Sequence, residues 1–585
     1  MKAWDLVRVL LAYAYGVLPY LCLLSPLRWI PAGHTLSGHL AVRLTAATAA
    51  LSLAGTILSA VSFDLFLGIH HLLAAAGAAV VLLQGGRRRA APDRPAWQRF
   101  DPWLAAVLIL AFLVRAAPIL IARASLGGGD ARFHNILAAK ILLERQLADT
   151  WLPFAALRVA YPQGAHVLAA LLAEWSGRPV HEAFHVLLCV CGVLTTGVLY
   201  RIARSLFGSE APALWAASLY AFVAVLGSLD YFRWGGVPNA LGMLMVCLLI
   251  LALLENAPRH ARRRRAGAVG GGLVLLAVLR IHHYSLLVAG LLFLFGLLFA
   301  NDRALRRLML GAATVALVCA LPWLVPRVSL GADELAQTAV FRFREPPLTL
   351  FSVIQHMNPA LVLAFVVALA EARRRVWTAP QLLILAWLAG MVAAFAALEY
   401  LYRAASLILT RGGDCFTALT PSRMATDLVY PMSLLGGFIP ISRLWEKHRG
   451  ACLGVLCGSA VLTCSTLSFT QASVGVAPDA VSAAAWLRAH TPTDSLIVGS
   501  LPHVEYLSWR ETSRPPLPAS EARRHPAFLW KTQRSTFREW FAWQDVMQRP
   551  LYFLLAPDGR TPPFLREVYS NPSVRVATTR ENDSP

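Results

Sequence analysis

The sequence predicts a polytopic α-helical membrane protein. Of its 585 residues, 57% are hydrophobic and only 15% are charged, and the mean hydropathy is +0.56. Soluble domains carry about a quarter charged residues. Apolar runs of roughly 20 residues recur along the chain, which is the length that a helix needs to cross a bilayer. These observations exclude an ordinary soluble protein.

Most basic residues fall in short clusters between the apolar runs. The formal net charge of +21 would also suit a nucleic-acid-binding protein, but no nucleic-acid-binding module accompanies it, so we expect no nucleic acid partner. The clusters instead follow the positive-inside pattern of proteins embedded in a lipid bilayer. They are Arg87 to Arg89, Arg262 to Arg265, Arg303 with Arg306 and Arg307, Arg373 to Arg375, and Arg443 with Lys447 and Arg449.

Alternate threading of the apolar runs predicts about 14 transmembrane helices. The first three occupy residues 5–83, and the basic segment 85–99 follows them. The first run lacks a signal-peptide cleavage site, so we expect it to be retained as a span. This threading puts every basic cluster on the cytoplasmic side. It puts the polar loop 124–180, the segment 401–428 and the tail after residue 471 on the opposite side.

The chain is therefore expected to have three parts. Residues 1–99 contain extra N-terminal helices and a basic cytoplasmic loop, residues 100–470 form the main transmembrane domain, and residues 471–585 form a small extracytoplasmic α/β domain. The elements predicted in the last part are a helix at 482–490 and strands at 495–500, 551–555 and 574–578.

The first long polar interruption, at Gly127 to Asn135, contains the main candidate site. Three glycines are followed within a few residues by Asp130, Arg132 and His134. The next residues have helical periodicity, with polar side chains such as Asn135 and Lys140 on one side. This pattern predicts a helix that lies flat on the bilayer surface. It would hold Asp130 at the boundary between lipid and water.

Asp130 has more than one interpretation. Asp after glycines is a preferred N-cap, so capping the helix could be its only role. The neighbouring Arg132 and His134 favour a chemical role. The carboxylate could accept a proton from a hydroxyl group, or could help His134 to hold a divalent cation such as Mg²⁺ or Mn²⁺. The metal is the weaker hypothesis, because Asp-x-x-x-His alone is a poor metal signature.

Two turns on the same predicted side carry candidate substrate contacts. In the first, Tyr161 and His166 flank a proline that shapes a helix start; His166 could equally be an interfacial histidine. In the second, Asp230 and Arg233 stand beside aromatic residues. They could contact a sugar or a phosphate, although interfacial anchoring explains the aromatic residues as well.

Two basic groups lie near the same membrane boundary. Arg280, His282 and His283 fall between two apolar runs, where ionisable residues are expensive and usually functional. Arg423 precedes a later run, at the depth expected for a lipid-linked phosphate, which a guanidinium binds in a bidentate manner. The alternative is that Arg423 only extends to the lipid headgroups.

The order and predicted side of these motifs resemble the C-type (GT-C) superfamily of membrane glycosyltransferases, which includes oligosaccharyltransferases, protein mannosyltransferases and aminoarabinose transferases. The resemblance covers residues 100–585. The matching features are Gly-Gly-Gly-Asp130, the helix after it, Tyr161-Pro-x-Gly-x-His166, Pro-Ser-Arg423 before a span, and a C-terminal segment opening with Ala483 to Pro492. The chain lacks a Trp-Trp-Asp motif and a doubled acidic pair in the first loop, which argues against N-glycan transfer.

The resemblance implies a polyprenyl-phosphate-linked sugar donor and inversion at the anomeric carbon. The acceptor would be a glycan, a lipid or a protein. The implied location is the bacterial cytoplasmic (inner) membrane, with the active site and the C-terminal domain extracytoplasmic. Asp130 would be the general base, and Arg423, Arg280, His282 and His283 would face the phosphate. The other polar residues named above are candidate substrate contacts, and a metal ion is not required.

Two other functions stay open at this point. A transporter or flippase of lipid-linked sugars would be expected to show internal symmetry and ionisable residues near mid-membrane. Here the ionisable residues cluster on one side, which favours an enzyme. A glycan polymerase or ligase that uses the same lipid donors is chemically adjacent.

Overall fold

The computed structural model describes most of the chain. The described residues are 2–24, 36–87, 101–121, 129–150, 159, 161–224, 231–258, 261–299, 302–324, 341–342, 349–373, 375–405, 416–417, 421–441, 443–474, 476, 478–492, 495–498, 511–513, 551–555, 557, 561 and 565–579.

These residues fold mainly into α-helices, numbered here in chain order. The helices are α1 (Ala3–Leu24), α2 (Leu36–Ser59), α3 (Phe63–Arg87), α4 (Pro102–Ile121), α5 (Gly129–Glu144), α6 (Gly164–Ser176), α7 (Val180–Phe207), α8 (Glu210–Ser218), α9 (Tyr231–Trp234), α10 (Val237–Asn256), α11 (Ala261–Ile281), α12 (His283–Phe299), α13 (Arg303–Leu324), α14 (Leu350–Met357), α15 (Pro359–Ala372), α16 (Ala379–Ala396), α17 (Pro421–Asp427), α18 (Val429–Leu435), α19 (Arg443–Val474) and α20 (Pro478–His490). Two π-helical segments, Leu219–Val223 and Ala397–Tyr402, extend α8 and α16, and a 3-10 segment, Gly436–Ile441, extends α18.

Several of these helices have the length and composition of membrane spans. Within the described ranges, 8 helices are long and apolar enough to cross a bilayer, and three shorter apolar helices accompany them. The prediction of a polytopic helical membrane protein is confirmed, whereas the number of about 14 spans stays a prediction. The long candidates are Ala3–Leu24, Ser37–Ser59, Pro102–Ile121, Val180–Phe207, Val237–Asn256, Arg303–Pro322, Ala379–Ala405 and Gly450–Ser468.

The centre of the bundle is formed by α7 and α10. Their most apolar windows are 94% and 100% buried, because other helices surround them on all sides. A helix that is apolar all round is expected in such a position. Small residues bring neighbouring helices together: a Cβ atom on Gly272 of α11 would lie 2.6 Å from the Cβ of Val315 in α13. Close approach at small residues is how helices associate within a membrane.

Helix α5 occurs where it was predicted in the sequence, but its surroundings differ from those predicted. It packs against α6, α7 and α9. Asn135 and Lys140, expected on a solvated face, are 0% and 1% exposed, whereas Leu143 is 50% exposed. Lys140 forms an ion pair with Glu144, which offsets part of the cost of burying its charge. The prediction of a solvated polar face is therefore wrong at these two residues.

The C-terminal residues contain α20 and a five-stranded mixed sheet. Its strands are β3 (Leu496–Val498), β4 (Glu511–Ser513), β5 (Leu551–Leu555), β6 (Leu565–Ser570) and β7 (Arg575–Thr579); the short strands β1 (Phe341–Arg342) and β2 (Phe416–Thr417) pair with each other earlier in the chain. The strand order is β4-β3-β5-β7-β6, with β3 parallel to β4 and β5 and the remaining pairs antiparallel. The predicted helix and three predicted strands occur here, although α20 begins at Pro478 rather than Ser482. The three-part domain division stays a prediction.

Candidate active site

The first turn of α5 and the first turn of α17 meet through an ion pair. The guanidinium of Arg423 donates a hydrogen bond to the carboxylate of Asp130. The side chain of Asp130 is 33% exposed and that of Arg423 is 15% exposed. The pair therefore lies at a partly open edge of the bundle, where a substrate could reach both charges.

An aromatic ring holds the same guanidinium from another side. The Cζ atom of Arg423 lies 4.3 Å from the ring centroid of Trp234, the last residue of α9, within the range of a cation–π contact. The next residue, Gly235, has φ +80°, and a Cβ atom on it would lie 2.2 Å from the Cβ of Ala131. Only glycine tolerates both the backbone conformation and the close approach. The turn after α9 is thus held directly beside Asp130.

Four histidines and a tyrosine pack together next to this pair. The Nδ1 atom of His134 is hydrogen-bonded to the Nε2 atom of His166 at 3.0 Å. The ring of Tyr161 is 5.5 Å from His134, 5.6 Å from His166, 6.1 Å from His282 and 5.2 Å from His283, measured between centroids. The structure therefore brings together side chains from the starts of α5, α6 and α12.

Burial keeps these histidines neutral. It lowers the pKa of His134 well below its usual value, helped by the neighbouring His166 and Arg423. Burial also lowers the pKa of His166 to about 3 and that of His282 well below its usual value. Burial raises the pKa of the Tyr161 hydroxyl, which therefore stays protonated. At neutral pH, His134, His166 and His282 can donate and accept hydrogen bonds but cannot supply positive charge.

The segment Arg280–His283 is fixed against α6. A Cβ atom on Gly164 would lie 2.8 Å from the carbonyl oxygen of Arg280, so the two backbones touch. Arg280 itself is 7% exposed. The Nδ1 atom of His282 is 3.2 Å from the hydroxyl of Ser285, which donates to Asn239 at 3.4 Å.

Asp427 is a candidate functional residue that the sequence reasoning missed. It ends α17, four residues after Arg423, and is 0% exposed. The hydroxyl of Tyr231 donates a hydrogen bond to its carboxylate. Burial raises the pKa of Asp427 to about 7, with Tyr231 and Tyr284 acting in the opposite direction. An acidic residue so close to a predicted span was a signal that could have identified it.

The described structure gives only partial information on three other predicted residues. Arg132 is half-buried in the first turn of α5. Arg233 belongs to α9, but its side chain lies outside the described residues, as does the whole of Asp230.

The two possible metal ligands, Asp130 and His134, each bind another side chain. The carboxylate of Asp130 binds Arg423, and the Nδ1 atom of His134 is directed at His166. Among the residues that the structure describes, no group of three or more His, Cys, Asp or Glu side chains could hold a metal ion.

Comparisons with known proteins find a matching family and a similar fold. Residues 162–325, which run from the turn beside Tyr161 past the end of α13, match the family described as dolichyl-phosphate-mannose-protein mannosyltransferase. No curated protein shows significant sequence similarity to the chain.

The fold is similar to that of ArnT from Cupriavidus metallidurans. The apo structure gives a TM-score of 0.56 at 13% identity, and the structure bound to undecaprenyl phosphate gives 0.54 at 12% identity; each comparison covers 82% of this chain and 97% of ArnT. A mutant of the mycobacterial arabinofuranosyltransferase AftD gives 0.51 at 15% identity, over 82% of this chain and 41% of that one. The chain therefore shares the fold of ArnT and AftD.

The site is built from helix ends. Asp130, His166 and His283 each lie in the first turn of their helix, and Trp234 closes α9. The family match begins inside the turn that carries Tyr161 and His166 and includes the His282–His283 pair. The part of the chain with detectable family similarity thus supplies much of the histidine cluster.

Proposed function

We propose that the chain is a membrane glycosyltransferase that moves a sugar from a polyprenyl-phosphate-linked donor to an extracytoplasmic glycan, lipid or protein acceptor, with inversion at the anomeric carbon. The observation that carries the proposal is the ion pair between Asp130 and Arg423 at a partly exposed edge. A carboxylate that can act as a base thus contacts a guanidinium that can bind a phosphate. The GT-C fold, the family match and the solved complex of ArnT with undecaprenyl phosphate support this function.

The reaction needs one base and one cation. The acceptor oxygen forms a bond to the anomeric carbon while the bond from that carbon to the phosphate oxygen breaks. Asp130 accepts the proton of the acceptor hydroxyl, and the polyprenyl phosphate leaves with the bonding electron pair. Arg423 stabilises the charge that develops on this phosphate. Because phosphate leaves as an anion, no general acid is required.

The ion pair has to open before the reaction. An inverting displacement needs the base and the leaving phosphate on opposite faces of the sugar, yet Asp130 and Arg423 are in direct contact. The donor phosphate would take the place of the carboxylate on the guanidinium and leave Asp130 free to act as a base. The contact with Trp234 would keep Arg423 in place during this exchange.

The role proposed for His282 differs from the one expected from the sequence. His282 was expected to support the phosphate with charge, but burial keeps it neutral. The neutral His134–His166 pair and the protonated Tyr161 hydroxyl suit the hydroxyl groups of a sugar, which both donate and accept hydrogen bonds. We assign this cluster to the sugar and Arg423 to the phosphate.

A transfer assay tests the proposal. The full-length protein would be purified in detergent, incubated with labelled undecaprenyl-phosphate sugars and a bacterial envelope extract, and assayed for new glycosides. Asp130→Asn should lower the rate about 100-fold or more, because positioned general bases contribute 10²–10⁴-fold. Asp64→Asn is the matched control, since Asp64 pairs with Arg145 but its side chain is 62% exposed.

Two results would contradict the proposal. An Asp130→Asn protein with the wild-type rate would remove Asp130 from the role of base. Wild-type protein that moves labelled donor across vesicle membranes without forming any glycoside would favour the flippase alternative.

A further inference from the structure

Helix α17 presents a cation to the site and a carboxylate to the protein interior. Arg423 and Asp427 are four residues apart, so they lie on the same side of the helix, one turn from each other. Arg423 is 15% exposed and Asp427 is 0% exposed. The chemistry proposed above uses Arg423 but assigns no role to Asp427.

Side chains from several helices surround the Asp427 carboxylate. The hydroxyl of Tyr231 in α9 donates to it, and the hydroxyl of Tyr430 in α18 lies 3.4 Å from that of Tyr231. Tyr284 of α12 and Asn239 of α10 face the same carboxylate. Side chains from four other helices thus converge around Asp427.

Stability alone does not explain a carboxylate at this position. Removing a carboxylate from water costs several kcal/mol, and replacing buried charged groups with well-packed apolar residues is often neutral or stabilising. The raised pKa of Asp427 reflects that cost. A leucine of similar size would fill the space, so the acceptor atoms themselves are the feature to explain.

The hydrogen bond with Tyr231 leads directly to the site. Tyr231 begins α9, which has only 4 residues, and Trp234 at its other end contacts the guanidinium of Arg423. Fixing the first residue of so short a helix fixes the last one. We infer that Asp427 is a positioning residue of the transfer reaction, which acts through Tyr231 to hold Trp234 against Arg423. This inference rests on the proposed function.

The test compares variants that keep or remove the hydrogen bond. In Asp427→Asn the carboxamide oxygen still accepts from Tyr231, so we expect kcat within about 3-fold of wild type, with donor KM unchanged. In Asp427→Leu and Tyr231→Phe the bond is lost, and kcat should fall about 10- to 100-fold, since misplacing a catalytic group by about 1 Å can cost 100-fold. Thr196→Val is the control; it removes a buried hydroxyl that bonds only within α7, to Gly192 at 2.8 Å.

A double-variant comparison separates positioning from general destabilisation. If Asp427 acts through the contact between Trp234 and Arg423, its replacement should matter little once that contact is gone. In a Trp234→Leu background, Asp427→Leu should therefore lower kcat by less than about 3-fold, because the effects of substitutions at interacting sites are not additive. Equal effects in both backgrounds would overturn the inference. So would a wild-type kcat in Tyr231→Phe, the variant that changes least and is therefore the safest to fold.

Different results would contradict the proposed function and the role of Asp427. Absence of transfer by the wild-type protein, with undecaprenyl phosphate still bound, would overturn the proposed function and this inference with it. Normal transfer by the wild type and by Asp427→Leu would overturn only the role of Asp427.

Discussion

Asp130→Asn should bind a polyprenyl phosphate more tightly than the wild-type protein, although it transfers sugar poorly. In the free protein the carboxylate of Asp130 occupies the guanidinium of Arg423, so an incoming phosphate has to displace it. The asparagine variant removes this competitor. A base that merely assists catalysis would not have this effect on binding.

The structure sets the size of the effect. The side chains of Asp130 and Arg423 are 33% and 15% exposed, so their interaction energy should be intermediate. An exposed ion pair contributes less than about 1 kcal/mol, and a buried charge-assisted hydrogen bond contributes about 1.5–3 kcal/mol. A loss of about 1–2 kcal/mol of competition corresponds to roughly 5- to 30-fold tighter binding. Arg423→Gln should change the affinity in the opposite direction.

The assay is direct binding of undecaprenyl phosphate to protein in detergent, measured by calorimetry at fixed ionic strength. Asp64→Asn, which removes a carboxylate from an exposed ion pair elsewhere, should bind like the wild type. Weaker or unchanged binding by Asp130→Asn would refute the competition between the carboxylate and the phosphate for Arg423.

Acid sensitivity and a close backbone contact give two more predictions. The pKa of His166 is about 3 in the folded protein and about 6.5 in the unfolded protein. Below pH 6.5 the unfolded state therefore binds more protons, and the free energy of unfolding decreases as the pH is lowered. Between pH 7 and pH 5 this decrease is about 2 kcal/mol. His166→Gln should lessen this loss in thermal unfolding measured across that range, whereas the exposed His490→Gln should not, and identical pH slopes for all three proteins would contradict the burial argument. Gly235→Ala places a Cβ atom 2.2 Å from that of Ala131 at φ +80° and should lower stability by about 1–3 kcal/mol and reduce transfer. Gly208→Ala adds only the backbone strain, because at φ +70° its Cβ meets nothing within 4 Å; equal losses in the two alanine variants would show that the contact with Ala131 is unimportant.

The sequence predicted which polar residues gather at one end of the bundle because that follows from the order of the spans. Asp130 comes directly after one apolar run and Arg423 directly before another, so alternate threading puts both at the same boundary. Their direct contact could not be predicted in this way. It joins residues 293 positions apart and depends on how α5, α9 and α17 pack, which no local pattern encodes.

The errors at α5 have a related cause. Periodicity separates apolar from polar positions, but it does not say whether the polar side meets water or another helix. Asn135 and Lys140 follow the expected period and are nevertheless buried, Lys140 with a carboxylate partner on its own helix. Asp427 was overlooked for the same reason, since only the folded chain brings Tyr231 to it.

The charges of the site indicate why it would select a phosphate-linked donor. Arg423 lies near neutral, buried histidines and against the ring of Trp234, none of which carries a negative charge. An anion in direct contact with the guanidinium lowers the cost of this partly buried cation at each stage. Asp130 provides that anion in the free protein, and the donor phosphate would provide it in the complex. Exchange of one anion for the other leaves the net charge around Arg423 unchanged while it releases the carboxylate, so the base would become available only when a phosphate is bound. A neutral lipid-linked sugar could not make this exchange, and the arrangement would couple donor selection to activation of the base.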